Sequence, residues 1–326
     1  WFPPAWALDG GPASYARQGG GIAYRLDNRK KEKIYKSMAD YLLYAKRYYG
    51  IEFSMFSFNE SDLGIDVLHT PQEHADFIKE FGAYLAELNL PTRMLLGDNS
   101  DATTFDFILP ALNNSETHKY IGAVSFHSWR GCDDVTLRKW ADAAKEINVP
   151  LLVGEGSTDA AAHGYAEIFN ESTFALYEIN LYTRICTICQ PLSILQWQLT
   201  SDYSLLWGDG IYGSKGPLRP TQRFWNIKQL ASTPADALAI PVSSSKKNVN
   251  CAAFGNMVRG EYAVHMVNNG ADCEAVISGI PAEVKKLKVY VTNTKDCMKE
   301  TAVKVENGLV RVHLPAISFI TLLSGE

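Results

Sequence analysis

Ile51-Glu52-Phe53-Ser54-Met55-Phe56-Ser57-Phe58 runs directly into Asn59-Glu60, and Gly50 stands immediately before it. The length of this run and its aromatic and branched residues read as a strand that ends on a polar pair. Upstream, Ile34, Met38, Tyr41, Leu42 and Ala45 recur at helical spacing up to Tyr49. Gly50 then falls where a helix C-cap glycine belongs. The unit is therefore helix, glycine, strand, carboxylate.

The same alternation continues outward. A helix is expected over 71–88, with Thr70 as N-cap, Pro71 at its first position and Glu73 at its third. A strand at 93–96, a short helix near 104–113 and a strand at 121–126 come next. A helix at 134–147 precedes a strand at 150–153, and a helix at 171–188 precedes a strand at 193–199. A last helix fits 221–230. Continuous apolar strands alternating with helices imply a parallel sheet covered on both faces. No glycine-rich phosphate loop follows any strand. Polar and aromatic residues cluster after the strands instead, at Asn59/Glu60, Asp98/Asn99, His127/Trp129, Glu155 and Trp197. Strand C-terminal ends gathered at one mouth are the active-site arrangement of a (β/α)8 TIM barrel. Five strands are legible where eight are needed, so the expectation is a barrel lacking its first strands.

From about residue 248 the period changes to two. Alternating runs at 249–254, 261–268, 273–277, 286–292, 302–305, 309–314 and 318–323 are separated by Arg259-Gly260, Asn269-Gly270 and Asn307-Gly308. An all-β sandwich follows from that pattern, joined through 233–247. The expected organisation is an incomplete barrel over 1–232 and a β-sandwich over 233–326.

Composition narrows the function. The 326 residues carry a net charge of −5, so a basic surface for nucleic acid or anionic lipid is not expected. No apolar run approaches the ~18 residues of a membrane span. Of the six cysteines, Cys186 and Cys189 have redox or zinc spacing but no matching second pair, and read as inert apolar thiols. Cys273 and Cys297 are candidates for a disulfide. His, Asp and Glu show no metal spacing and no nucleophile elbow is present, so no cofactor is implied.

The chemistry rests on two glutamates. Glu60 ends one strand and Glu155, between Gly154 and Gly156, ends another three strands later. Retaining glycoside hydrolysis needs two carboxyl groups ~5–5.5 Å apart, one protonated and one ionised. Strand ends of one rigid barrel can hold that spacing while keeping the two environments different. Asn59 is placed to bind a sugar 2-hydroxyl, and the glycines beside Glu155 relieve crowding as a sugar approaches. A single glutamate after a strand is ordinarily a solvated loop residue; the matched pair carries the signal.

Phe2-Pro3-Pro4-Ala5-Trp6 resembles the Ser-Pro-Pro-Ala-Trp stretch after the third barrel strand of glycoside hydrolase family 30. The helix at 31–49, Tyr49-Gly50-Ile51 and Ser57-Phe58-Asn59-Glu60 are similar to that family's approach to its acid/base. Phe224-Trp225-Asn226-Ile227-Lys228-Gln229-Leu230 and the β region after it are similar to its C-terminal half. The resemblance implies Glu60 as general acid/base and Glu155 as nucleophile, on barrel strands 4 and 7. It implies Trp197 as the platform for the −1 sugar and His127 near the nucleophile. Trp129, Trp6 and Tyr203 become further subsite candidates; core packing is the competing reading for each of these aromatic residues.

The chain departs from the family at Ser61, where a proline is usual. It also departs in lacking strands 1 and 2, an N-terminal piece of the β region and the strand-2 arginine that supports the nucleophile. Residues 1–21 hold five glycines and three prolines and cannot form two strands and two helices. A homodimer or a complementing N-terminal segment is the expected cover for the opened barrel. The resemblance implies a secreted or periplasmic enzyme acting on a β-linked glycan of the xylan, β-1,6-glucan or β-1,6-galactan type. The alternative is a non-catalytic carbohydrate-binding protein on a degraded barrel.

Overall fold

The computed structural model describes residues 3–9, 22–159 and 165–325. Trp1, Phe2 and most of the 1–21 stretch, with any packing of it into the opened barrel, lie outside the described residues. Two compact units emerge: Trp1–Gly156 with Pro191–Leu195, and Ser157–Gln190 with Gln196–Glu326. The boundary expected at 232/233 falls inside the second unit.

The first unit is built on a curled, parallel half-barrel sheet. Its strands are β1 (Met55–Phe56), β2 (Arg93–Asn99), β3 (Ile121–Phe126), β4 (Leu151–Gly156) and β5 (Ser193–Gln196), side by side in chain order. Met55 pairs with Arg93, Leu96 with Val124 and Ser125 with Leu152, all parallel. The helices are α1 (Lys31–Tyr49), α2 (Pro71–Glu87), the short α3 (Leu109–Leu112) and α4 (Ser115–His118), and α5 (Asp134–Glu146).

Local chemistry explains these boundaries. Gly50 closes α1 at φ 65°, donating to the Lys46 carbonyl at 3.1 Å. Thr70 and Glu73 form a reciprocal capping box that opens α2. β1 is much shorter than the eight residues read from sequence. It lies at the edge of the sheet, and only Met55 and Phe56 are in register with a neighbour. The residues before it still hold on singly: Arg93 N donates to the Ser54 carbonyl at 2.9 Å, and Thr92 Oγ1 to the Phe53 carbonyl at 2.7 Å. The core between sheet and helices is aromatic. Phe77 and Phe81 stack on α2, and Trp140 packs on Phe126 with its indole N–H on the Ala102 carbonyl.

In the second unit α6 (Ser172–Ile188) precedes the hairpin of β6 (Leu206–Trp207) and β7 (Arg219–Pro220), and α7 (Gln222–Leu230) follows. Then come β8 (Leu238–Ile240), β9 (Val249–Asn256), β10 (Glu261–Asn268), β11 (Cys273–Ser278), β12 (Lys286–Thr292), β13 (Lys299–Lys304), β14 (Leu309–Leu314) and β15 (Ser318–Leu323). Six strands form one sheet in the order β13-β12-β15-β10-β9-β8, and β11 pairs with β14 in a second. Val310, Val312 and Leu314 of the small sheet share one core with Met266, Leu287, Val289, Ile320 and Leu322 of the large one, as a sandwich requires. The 233–247 segment is not only a connection, since β8 within it extends the large sheet beside β9. Cys273 and Cys297 do not form a disulfide. Cys186 is buried on α6, where loss of solvent pushes its thiol up to about 12 and leaves it unreactive.

Candidate active site

Four strand ends of the first unit converge. After β1 the chain turns sharply, and Glu60 adopts φ 47°, a left-handed conformation that non-glycine residues hold only where their surroundings enforce it. Its N–H donates to the Asp98 carbonyl at 3.1 Å, and its own carbonyl accepts from Gly64 N at 2.7 Å. Asp62 fastens the same turn to the end of β2, accepting from Ser100 N at 2.9 Å, Ser100 Oγ at 2.7 Å and Thr104 Oγ1 at 2.8 Å. The Glu60 side chain is thereby aimed across the sheet ends.

His127 follows β3 and is fully buried. Its Nδ1 lies 2.9 Å from Glu60 Oε1 and 3.4 Å from Glu155 Oε2, and its Nε2 lies 3.2 Å from Asp98 Oδ1. Glu155, on β4, accepts from Asn59 Nδ2 at 3.3 Å and from Trp129 Nε1 at 3.2 Å. One side-chain atom each of Glu60, His127 and Glu155 falls within 4.8 Å of the others. The imidazole bridges the two carboxylates through Nδ1.

Asp98 completes the set. It too sits at positive φ, 61°, and accepts from Ser57 Oγ at 2.6 Å and Ser125 Oγ at 3.1 Å. Gly154 makes this possible: a Cβ there would lie 2.3 Å from Asp98 Oδ1 and 3.0 Å from Ser125 Oγ. The sequence reading gave that glycine to an approaching sugar, whereas the structure gives its space to a carboxylate.

The electrostatics follow from burial and charge. Burial opposes a charge on His127, but its bonds to Asp98 and Glu60 and the nearby Glu155 outweigh that and raise it to about 10. Burial would raise Asp98, yet His127 and the two serine hydroxyls pull it below its ordinary value. Glu155 is pushed up, chiefly by burial and further by Glu60, against His127, Trp129 and Asn59, which favour its ionised form. Asn59 and Trp129 can only donate to it, so this shell fits a carboxylate that accepts.

Of the residues singled out in the sequence, Asn59, Glu60, His127, Trp129 and Glu155 are brought together. Trp6 sits in a short 3-10 turn, with the Lys33 ammonium 4.3 Å from its ring centroid. Trp197 and Tyr203 belong to the second unit. Trp197 is 37% exposed just past β5, whereas Tyr203 is buried, with its hydroxyl on Asp159 at 3.1 Å and its ring against Phe169. Sequence reasoning noticed Asp98 only as one of the polar residues after a strand, and missed Ser57 and Ser125. Their alternation with the apolar strand residues was the available signal.

No family model matches this sequence, and no curated protein matches it. Solved structures do. An endoxylanase of glycoside hydrolase family 30 from Clostridium papyrosolvens C71 superposes with a TM-score of 0.79 at 16% identity, over 100% of this chain and 78% of its own. A family 30 subfamily 8 xylanase from Clostridium acetobutylicum gives 0.79 at 15%, over 100% and 78%. The catalytic domain of a family 30 xylanase C from Talaromyces cellulolyticus gives 0.71 at 18%, over 100% and 75%. The chain has the fold of glycoside hydrolase family 30, with a half-barrel sheet and a β-sandwich.

Proposed function

We propose that this protein is a retaining glycoside hydrolase acting on a β-linked glycan. The carrying observation is that one carboxylate oxygen of Glu60 and one of Glu155 come within 4.8 Å of each other at the ends of their strands, both facing His127 Nδ1. Oxygens that close favour double displacement, because the carboxyl groups of an inverting pair stand ~6.5–9.5 Å apart to admit a water. In the first step a Glu155 oxygen attacks the anomeric carbon. The bond to the leaving oxygen breaks, and that oxygen takes a proton from Glu60. In the second step water attacks the same carbon, its proton passes to Glu60, and Glu155 departs as a carboxylate. Asn59 and Trp129 hold Glu155 in place for the attack. Xylan is the first substrate to try, given the neighbours' names, with β-1,6-glucan and β-1,6-galactan next; a secreted or periplasmic location fits such polymers.

Hydrolysis of a panel of β-linked polysaccharides tests the reading, with a 2-fluoro glycoside to trap the intermediate. The expected adduct is on Glu155. Binding without turnover by any member of the panel would favour the non-catalytic carbohydrate-binding alternative.

The place of β1 at the edge of its sheet among the described residues bears on assembly. Tyr41, Tyr44, Tyr48 and Tyr49 of α1 are all exposed, and an edge strand beside such a surface invites another chain. We propose that a second copy or a complementing N-terminal segment covers them. Light scattering showing a stable monomer of these 326 residues at micromolar concentration, with the tyrosines still open to iodination, would count against it.

A further inference from the structure

His127 stands between Glu60 and Asp98, with one ring nitrogen on each. Asp98 is held by Ser57, Ser125 and a left-handed backbone, in space that only Gly154 leaves open. An ionised Asp98 accepts from His127 Nε2–H, which turns Nδ1 toward Glu60 Oε1. Two states then have the same proton count. In one the imidazole carries both N–H protons and Glu60 is ionised. In the other the imidazole is neutral and Glu60 carries the proton, donating to Nδ1. They differ only in where one proton sits along a 2.9 Å hydrogen bond.

We propose that Glu60, His127 and Asp98 act as one acid/base unit, in which Asp98 is the positioning residue that fixes the His127 tautomer and keeps the shared proton available to Glu60. This rests on the glycosidase reading for its catalytic consequence, though not for the proton sharing itself. During bond cleavage the proton leaves Glu60 Oε1 for the departing oxygen, and the pair is left as neutral His127 and ionised Glu60. The water that hydrolyses the intermediate gives one proton back to the pair, so the cycle closes without any other donor. The charged or titratable groups facing His127 are Glu60 from the turn after β1, Asp98 from β2 and Glu155 from β4. Behind Asp98 stands His74 of α2, held neutral by burial at about 3 while its Nε2 accepts from Gly97 N. The upward shift of His127 agrees with the shared proton.

The test is Asp98→Asn, nearly isosteric and uncharged. Nitrogen-15 NMR of the imidazoles should show His127 protonated on both nitrogens well above neutral pH in the parent. In Asp98→Asn its titration should move down by about one unit or more, since an opposite charge at this distance supplies 1–3 units. On a glycan, the alkaline limb of kcat/KM should move down with it. The rate on unactivated substrate should fall roughly 10- to 100-fold, while an aryl glycoside whose leaving group needs no acid changes little. A His127 titration unmoved in Asp98→Asn overturns the proposal whether or not the protein is an enzyme. Equal losses on both substrate types with an unmoved alkaline limb would make Asp98 merely structural. Ser57→Ala guards against misfolding of the first variant. It removes one donor and leaves the charge of Asp98 to act more strongly on His127, so the titration should hold or rise, and a fall would overturn the tautomer argument.

Discussion

Each unit buries a cluster of charge, and the two are built on opposite principles. In the second unit Arg223 and Glu178 are matched one to one. Arg223 Nε and Nη2 grip the two oxygens of Glu178 at 2.9 and 2.7 Å, and Nη1 donates to the carbonyls of Tyr203 and Ser204, both at 2.9 Å. Their side chains are 0% and 1% exposed, and Phe169 and Phe174 flank the guanidinium. Every donor is used and no opening is left. In the first unit three carboxylates converge on one imidazole, with Glu60 and Glu155 still 10% and 11% exposed. That cluster is charge-rich and reachable, as a site for chemistry must be, whereas a saturated bidentate pair can only hold the chain together.

Substitution should split the two accordingly. Glu155→Gln and Glu60→Gln should each lower kcat by about 10²–10⁴-fold or more. Their melting temperatures should stay level or rise, since each removes one of several like charges around His127. Steady-state rates beside calorimetry check this, and a large drop in melting temperature would erase the distinction between the clusters.

Arg223→Met is the counterpart. It strands Glu178 in a dry interior, and breaking such a pair from one side costs about 3–5 kcal/mol. Denaturant titration should show that loss. Glu178→Gln should be milder, because the amide can still accept from Arg223.

The pH dependence of stability should separate the units as well. His265 is fully buried in the sandwich between Thr233 Oγ1 and Thr321 Oγ1, and burial lowers it to about 3. His74 in the first unit is lowered likewise. An unfolded histidine takes up its proton near 6.5, so both contributions are present above that pH and lost as it falls toward about 3. His127 has the opposite sign: raised to about 10, it stabilises below 6.5 and loses that contribution as pH rises toward 10. Hydrogen exchange followed from about pH 4 to about pH 9 should show acid loosening in both units and alkaline loosening in the first. His127→Asn should abolish the alkaline part alone.

The two clusters were not equally legible in the sequence. Glu60 and Glu155 stood out because strand ends are marked by a change from apolar to polar residues, and a parallel sheet brings such ends together. Glu178 and Arg223 each sit inside a helix, 45 residues apart, and nothing local says that a mid-helix glutamate is buried or which cation meets it. The Asp98–His127 contact was hidden for the same reason. Asp98 lies near the end of β2 and His127 just past β3, and the pairing depends on a register set by neighbours. The β-sandwich strands were readable from their period of two. β8 was not, because three residues among prolines and serines gain their structure only by lying against β9.

The smallest effect belongs to the scaffold between these extremes. Thr70 Oγ1 accepts from Glu73 N at 3.2 Å, and Glu73 Oε2 accepts from Thr70 N at 2.6 Å and from Arg25 Nη1 at 2.6 Å. This capping box was read from sequence, and losing its hydroxyl in Thr70→Ala should cost about 1 kcal/mol. One turn further along α2, His74 Nε2 accepts from Gly97 N, beside Asp98. The cap is thus one helical turn and one hydrogen bond away from the acid/base unit. If the site is held by its own strand ends, Thr70→Ala lowers the melting temperature and leaves the pH–rate profile untouched. A shifted profile in that variant would mean that α2 sets the position of Asp98, so that the reactive cluster depends on the helix behind it as well as on its own strand ends.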